Sequence, residues 1–152
     1  MKNTLCNIIM GMFGMAAMVS CQNIPFFIGY KSVEGNEWQR KDTVCFELPK
    51  SEKTSREYSV GLRTMGSFNY SKVYVAVTLK DSDSIVAIDT VTVDIISENG
   101  KPLGNGFPYI ETTKKGNIAL PLDTGKRYII GVSQLMRVNP LRGVSDVGVE
   151  VY

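Results

Sequence analysis

Histidine is missing from this sequence altogether. Its absence removes the commonest general base and the commonest metal ligand, so Ser-His-Asp and Cys-His catalytic arrangements are excluded. Cysteine is scarce, with Cys6, Cys21 and Cys45 far apart. An ordinary zinc site and an internal disulfide framework are both out of reach. Tryptophan occurs once, at Trp38. No block of one charge sign is present: 17 basic and 15 acidic residues are interspersed, for a net charge of +2. A nucleic-acid partner needs clustered Lys and Arg and is not expected. The longest apolar run, Ile8 to Val19, has about a dozen residues, against the roughly 17–25 of a bilayer-spanning helix. Beyond that run no segment keeps a 3.6-residue apolar stripe, which argues against a helical domain.

The first residues that are present follow an order of their own. Lys2 precedes the apolar run, which ends in Met18-Val19-Ser20-Cys21. A basic start, a short apolar middle and a small residue before the cut make a secretory signal. Val19-Ser20-Cys21 resembles the lipobox of bacterial lipoproteins, with Met18 where leucine is more usual. That resemblance implies cleavage before Cys21, diacylglycerol on its thiol and a third acyl chain on the new amine. Two or more chains hold a protein firmly at a membrane. The expected division is a signal peptide over 1–20, a lipidated amino end and tether over 21–36, and one domain over 37–152. The tether is unusually apolar at Ile24, Phe26, Phe27 and Ile28, and is expected to pack on its own domain.

From Thr43 onward the apolar period is two, the mark of half-buried strands. Tyr58-Val60-Leu62, Val73-Val75-Val77-Leu79, Val91-Val93-Ile95, Ile118-Leu120-Leu122, Tyr128-Ile130-Val132 and Val147-Val149-Val151 all alternate with more polar or smaller residues. Their β-branched residues suit a pleated surface. Turn chemistry separates the runs, and Asn99-Gly100 is the pair a tight hairpin prefers. About seven short strands, each with one apolar face, are most simply buried as an all-β antiparallel sandwich. Cys45, set among Val44, Phe46 and Leu48, is expected to be a buried or half-buried thiol packing as a small hydrophobe. Gln134 to Asn139 is expected to make one helical turn before Pro140.

Few residues present themselves for chemistry. Asp81 and Asp83 open like a calcium loop, but no glycine follows at the sixth position and no distal Glu, so a solvated turn is expected. Asp89 and Asp94, five apart on one strand, point to opposite faces and cannot easily act as a glycosidase pair. Gly104-Asn105-Gly106 is too short for a phosphate loop and reads as turn or bulge geometry. Trp38 reads as a core or seam residue rather than a sugar platform. Met136, Arg137, Arg142 and Asp146 are the best candidates for a partner-facing site, with Arg142 and Asp146 near enough in sequence to meet across a turn. No catalytic residue, metal site or cofactor is expected.

Several of these segments together carry a family resemblance. Tyr30-Lys31-Ser32-Val33, Trp38-Gln39-Arg40-Lys41-Asp42 and Val44-Cys45-Phe46 resemble the opening of GldH, a gliding motility lipoprotein of the Bacteroidota. Asn69-Tyr70, Asp89-Thr90-Val91 and Gly100 to Gly106 follow in the family's order. The end is the most specific part: Met136-Arg137, then Gly143 to Gly148 with Val144 where isoleucine is usual. Many members carry a histidine near the Met-Arg pair, where this chain has Gln134. The resemblance implies a lipid-anchored, non-enzymatic envelope component of the gliding and type IX secretion apparatus, with other envelope proteins as partners. The alternative is a glycan-binding sandwich lipoprotein of a nutrient uptake system. Gln22-Asn23 lacks both the Asp of inner-membrane retention and an acidic surface-export cluster, so a periplasm-facing outer-membrane position is favoured over the inner membrane.

Overall fold

The computed structural model describes residues 24–82 and 84–152. The expected signal peptide, the expected lipidation site Cys21 and Asp83 lie outside the described residues. In chain order the strands are β1 (Phe27–Ser32), β2 (Glu37–Trp38), β3 (Val44–Leu48), β4 (Ser55–Arg56), β5 (Tyr58–Met65), β6 (Lys72–Lys80), β7 (Ile85–Asp94), β8 (Tyr109–Lys115), β9 (Leu120–Pro121), β10 (Tyr128–Gln134), β11 (Leu141–Arg142) and β12 (Val144–Val151). One sheet has the order β1-β12-β5-β8 and the other β3-β10-β6-β7, with two short ribbons, β11-β2 and β4-β9. Every pairing is antiparallel. The all-β expectation holds.

The period of two explains how the sheets close on each other. Val60 and Leu62 of β5, with Val147, Val149 and Val151 of β12, point inward from the first sheet. Val73, Val75, Val77 and Leu79 of β6, with Val91 and Val93 of β7 and Ile130 and Val132 of β10, meet them from the second. Each such side chain contributes roughly 1.5–3 kcal/mol by leaving water. Trp38 and Leu141, paired in the β11-β2 ribbon, plug one end of this core, and both are fully buried. Leu120 and Leu122 close the other.

Four local expectations meet a different outcome or are sharpened. Phe27–Ser32, read as part of the tether, is a sheet strand with β12 as its neighbour. Phe27 packs edge-on against Phe46, centroids 6.3 Å apart, and the Arg56 guanidinium lies 3.7 Å from the Phe26 ring centre. Cys45 is exposed rather than buried. Phe46 and Leu48 take the inner face, so alternation turns the residue between Val44 and Phe46 outward. No helical turn forms over Gln134 to Asn139: Gln134 ends β10, and the Met136 N–H is bonded to Gln134 Oε1 at 2.7 Å instead of to a carbonyl of its own segment. The Asn99-Gly100 turn forms as expected: Gly100 has φ +75°, Ser97 N–H donates to the Lys101 carbonyl at 2.8 Å, and Ile96 pairs with Pro102.

The sandwich has two distinct ends. The chain enters at the near end, through Ile24 to Phe26. The far end gathers the connections over 33–43, 66–71, 95–108 and 135–143. The cleft described below lies at the far end and on the adjoining outer face of the first sheet.

Candidate functional site

Strand register places a polar row across the outer face of the first sheet. Ser32, Asp146, Arg63 and Glu111 stand at one level on β1, β12, β5 and β8. Asn105 extends the row past the sheet edge by bridging Glu111. Ser32 Oγ donates to Asp146 Oδ1 at 2.8 Å, and Ser145 Oγ lies 2.8 Å from Asp146 Oδ2. Arg63 Nε binds Glu111 Oε2 at 2.8 Å, which holds the guanidinium above its usual pKa. The two carboxylates of the row thus have Arg63 between them and do not face each other across open space.

Tyr30 braces this row from the side. Its neighbours in register are Gly148 and then Gly61, and the missing side chains leave room for the phenol ring. The Arg63 guanidinium stacks over that ring at 4.2 Å. The Tyr30 hydroxyl donates to Glu111 Oε1 at 3.2 Å, with Glu150 Oε1 at 3.5 Å. Burial first, then the charges of Glu111 and Glu150, hold the phenol well above its usual pKa, with Arg63 opposing.

The row is the floor of an open cleft of about 510 Å3. One wall is the 3-10 turn Glu34–Asn36, where Gly35 and Asn36 have φ of +61° and +55°. The other is the connection from Asn105 to Tyr109. Gly106 there has φ +126°, and a Cβ on it would fall 2.5 Å from the Tyr109 carbonyl oxygen, so only glycine suits the bend. The bend holds Phe107 out at 96% exposure, with Tyr109 half-exposed beside it.

The sequence-derived candidates separate in space. Asp146 is in the cleft floor. Arg142 does not meet it: its Nε pairs with Glu37 Oε1 at 3.0 Å in the β11-β2 ribbon, and the side chain is 77% exposed. Arg137 is exposed and Met136 half-buried on the 135–140 connection. Arg40 organises that connection by donating from Nη2 to the Met136 carbonyl at 2.5 Å and the Arg137 carbonyl at 2.8 Å. Gln134 works from inside. Fully buried, its amide N–H groups reach the carbonyls of Trp38 at 3.4 Å and Val138 at 3.3 Å. Trp38 itself is 1% exposed and offers no platform to a ligand.

Sequence reasoning missed Arg63, Glu111 and Tyr30, which are far apart in the chain and join only through register. It also left Asp89 without a role. Asp89 Oδ2 accepts from the Tyr58 hydroxyl at 2.6 Å and the Asn117 N–H at 2.7 Å, and Oδ1 from Asn117 Nδ2 at 3.1 Å. This knot ties the connection after β8 to β7. Asp94 points outward and bridges Lys72 and Lys114, each at 3.6 Å. Asp81 Oδ1 accepts from the Ser84 N–H and hydroxyl, both at 3.0 Å, the geometry of a turn.

Residues 26–151 match the family of GldH lipoproteins. The chain belongs to that family. Its similarity to the gliding motility lipoprotein GldH of Flavobacterium johnsoniae is 27% identity over 154 residues, covering 93% of this chain and 94% of that protein. GldH is thus matched almost end to end, and the cell envelope is where such a lipoprotein belongs. Among solved structures, a family GH115 4-O-methyl-α-glucuronidase with specificity for decorated arabinogalactans superposes with a TM-score of 0.56 at 13% identity. The match covers 90% of this chain and 19% of the enzyme, and it shows a shared fold. The cleft, Tyr30 bracing and the Gln134 bracket all lie inside the GldH match.

Proposed function

We propose that this GldH-family chain is a non-enzymatic scaffold of the gliding motility and type IX secretion machinery. Acyl chains on Cys21 hold it at the membrane, and its far end docks other envelope proteins. The observation that carries this reading is the separation of the two ends. The described chain starts at Ile24 on the near end, while Met136, Arg137, Arg142 and the cleft are at the far end. Cys21 is three residues from Ile24, a reach of about 10 Å at full extension. An anchor there keeps the near end beside the lipid and turns the far end away from it. The exposed Arg137 and Arg142 then meet partners rather than headgroups. On an outer-membrane anchor the far end faces the periplasm. A scaffold is also what the donor set supports, since the two carboxylates of the cleft are divided by Arg63 and no histidine is available.

The test is Cys21→Ser in cells deleted for the wild-type gene. The variant is expected to leave the membrane fraction and to lose gliding or type IX secretion. A variant that stays in the membrane, or one that restores the phenotype from the soluble fraction, overturns the anchor. Arg137→Glu with Arg142→Glu, kept in the membrane, is expected to reduce the same phenotype, and full complementation by it overturns the docking role of the far end.

A further inference from the structure

We propose that the far-end cleft binds a pyranose chain, through the sugar's hydroxyls and one of its C–H faces. This site is separate from the exposed Arg137 and Arg142, and the inference does not rest on the anchor.

The chemistry of the floor selects the ligand class. Arg63 spends its Nε–H on Glu111, and a guanidinium has five N–H donors, so donors remain for a ligand. Asp146 sits beside it in register. Its Oδ1 takes the Ser32 hydroxyl, its Oδ2 shares the Ser145 hydroxyl with the Arg63 carbonyl, and a carboxylate has about four acceptor sites. A fixed donor and a fixed acceptor on neighbouring strands, about 5 Å apart, bracket adjacent ring hydroxyls, which both give and receive hydrogen bonds. Asn36 and Asn105 repeat the same dual capacity on the two walls. The positive charge is already matched by Glu111, which disfavours a phosphate or a fatty acid headgroup.

The lip supplies the other half of sugar recognition. Phe107 is held almost wholly in water, where an aromatic ring gains by covering its face. Tyr109 stands next to it at 40% exposure, and in register beside Met65. A pyranose presents apolar C–H groups on one face and hydroxyls around its rim, so one ring can lie on the lip while its edge reaches the floor. The volume of about 510 Å3 falls within the range of ligand sites. The cleft is an open surface site rather than an enclosed cavity, so a sugar seated in it can continue into solvent as part of a longer chain.

The experiment uses the mature lipidated chain in a detergent without a sugar headgroup. One arm titrates cellotetraose, maltotetraose, xylotetraose and chitotetraose by calorimetry. The other pellets the protein with purified peptidoglycan sacculi, so that the arm that responds separates a free oligosaccharide from a wall polymer. Binding in either arm is expected. Phe107→Ala and Asp146→Asn are each expected to weaken it about tenfold or more, while Tyr74→Ala, an exposed aromatic on the second sheet, leaves it unchanged. Because Phe107 touches mainly solvent, its variant folds as wild type and its loss reads on the cleft alone. No binding in either arm, binding indifferent to both cleft substitutions, or a purified protein partner lost on Phe107→Ala in the absence of any sugar binding each overturns the proposal.

Discussion

The ring of Tyr30 occupies the space a side chain on Gly148 would need: a Cβ there would lie 2.4 Å from Tyr30 Cε1. Gly61, on the next strand, stands in the same relation, with a Cβ 2.2 Å from the Tyr30 hydroxyl oxygen. Either the ring or the sheet must shift to admit a methyl group. Gly148→Ala and Gly61→Ala are each expected to cost about 1–3 kcal/mol, the usual penalty of overpacking. In the Tyr30→Ala background the same changes are expected to cost much less, since the clash has gone and neighbours couple. Urea unfolding of the six proteins (wild type, Tyr30→Ala and each glycine variant in both backgrounds) measures both, and equal costs in the two backgrounds would show that Tyr30 is not what the glycines accommodate.

Asp89 makes stability depend on acid. Burial pushes its carboxyl up, but the hydrogen bonds from Tyr58, Asn117 and Ile118 outweigh this and hold it below the usual value. A carboxyl with a depressed folded pKa contributes stability that is present above its unfolded value of about 3.9. That contribution is lost as pH falls through the folded value. Wild-type unfolding free energy is expected to drop on acidification below about pH 4. Asp89→Asn is expected to flatten this slope and to cost about 1–3 kcal/mol at neutral pH through its unmet buried donors. Parallel slopes for the two proteins from pH 5 to pH 2 would contradict this.

Arg142 offers a clean separation of stability from docking. Its ion pair with Glu37 joins side chains 77% and 44% exposed, and exposed pairs contribute about 0–1 kcal/mol. Arg142→Ala is expected to leave the unfolding midpoint almost unmoved. Any loss of gliding or secretion in that variant then reads as a lost contact with a partner. A large drop in thermal stability would show that the ribbon depends on the pair.

Cys45 is expected to react with a maleimide in the folded protein, because its thiol is exposed on β3. If Cys6 leaves with the proposed signal peptide and Cys21 carries the proposed acyl chains, mass spectrometry should find one label. An unlabelled native protein that takes up the label only after unfolding would place the thiol inside.

The strands were legible because a period of two is imposed by each pair of neighbouring residues. Val73 to Leu79 declares its inner face without help from the rest of the chain. The same rule, followed one step further, would have turned Cys45 outward, since Phe46 and Leu48 already claimed the core. What could not be read was register. Ser32, Asp146, Arg63 and Glu111 come from four strands, and no local pattern says that they share a level. Gly148 gave a partial signal, as a glycine inside a valine-rich strand often marks close approach of another group. The Met136-Arg137 segment was picked out by resemblance, yet its shape is set by Arg40 and Gln134 acting on backbone carbonyls and an N–H. The Arg40 bonds join residues that lie 96 and 97 positions apart, a tertiary relationship that leaves no trace in spacing.

The pairing of the first strand with the last has a mechanical meaning. β1 leaves the near end and runs antiparallel to β12 through six residue pairs, Phe27 with Val151 to Ser32 with Asp146. A pull on the amino end against a hold on the far-end loops acts along these strands. The rungs of that ladder then bear the load together in shear, instead of peeling one after another. A body built this way, tethered at its amino end as proposed, would transmit traction to whatever holds its far end and would resist being unravelled by it.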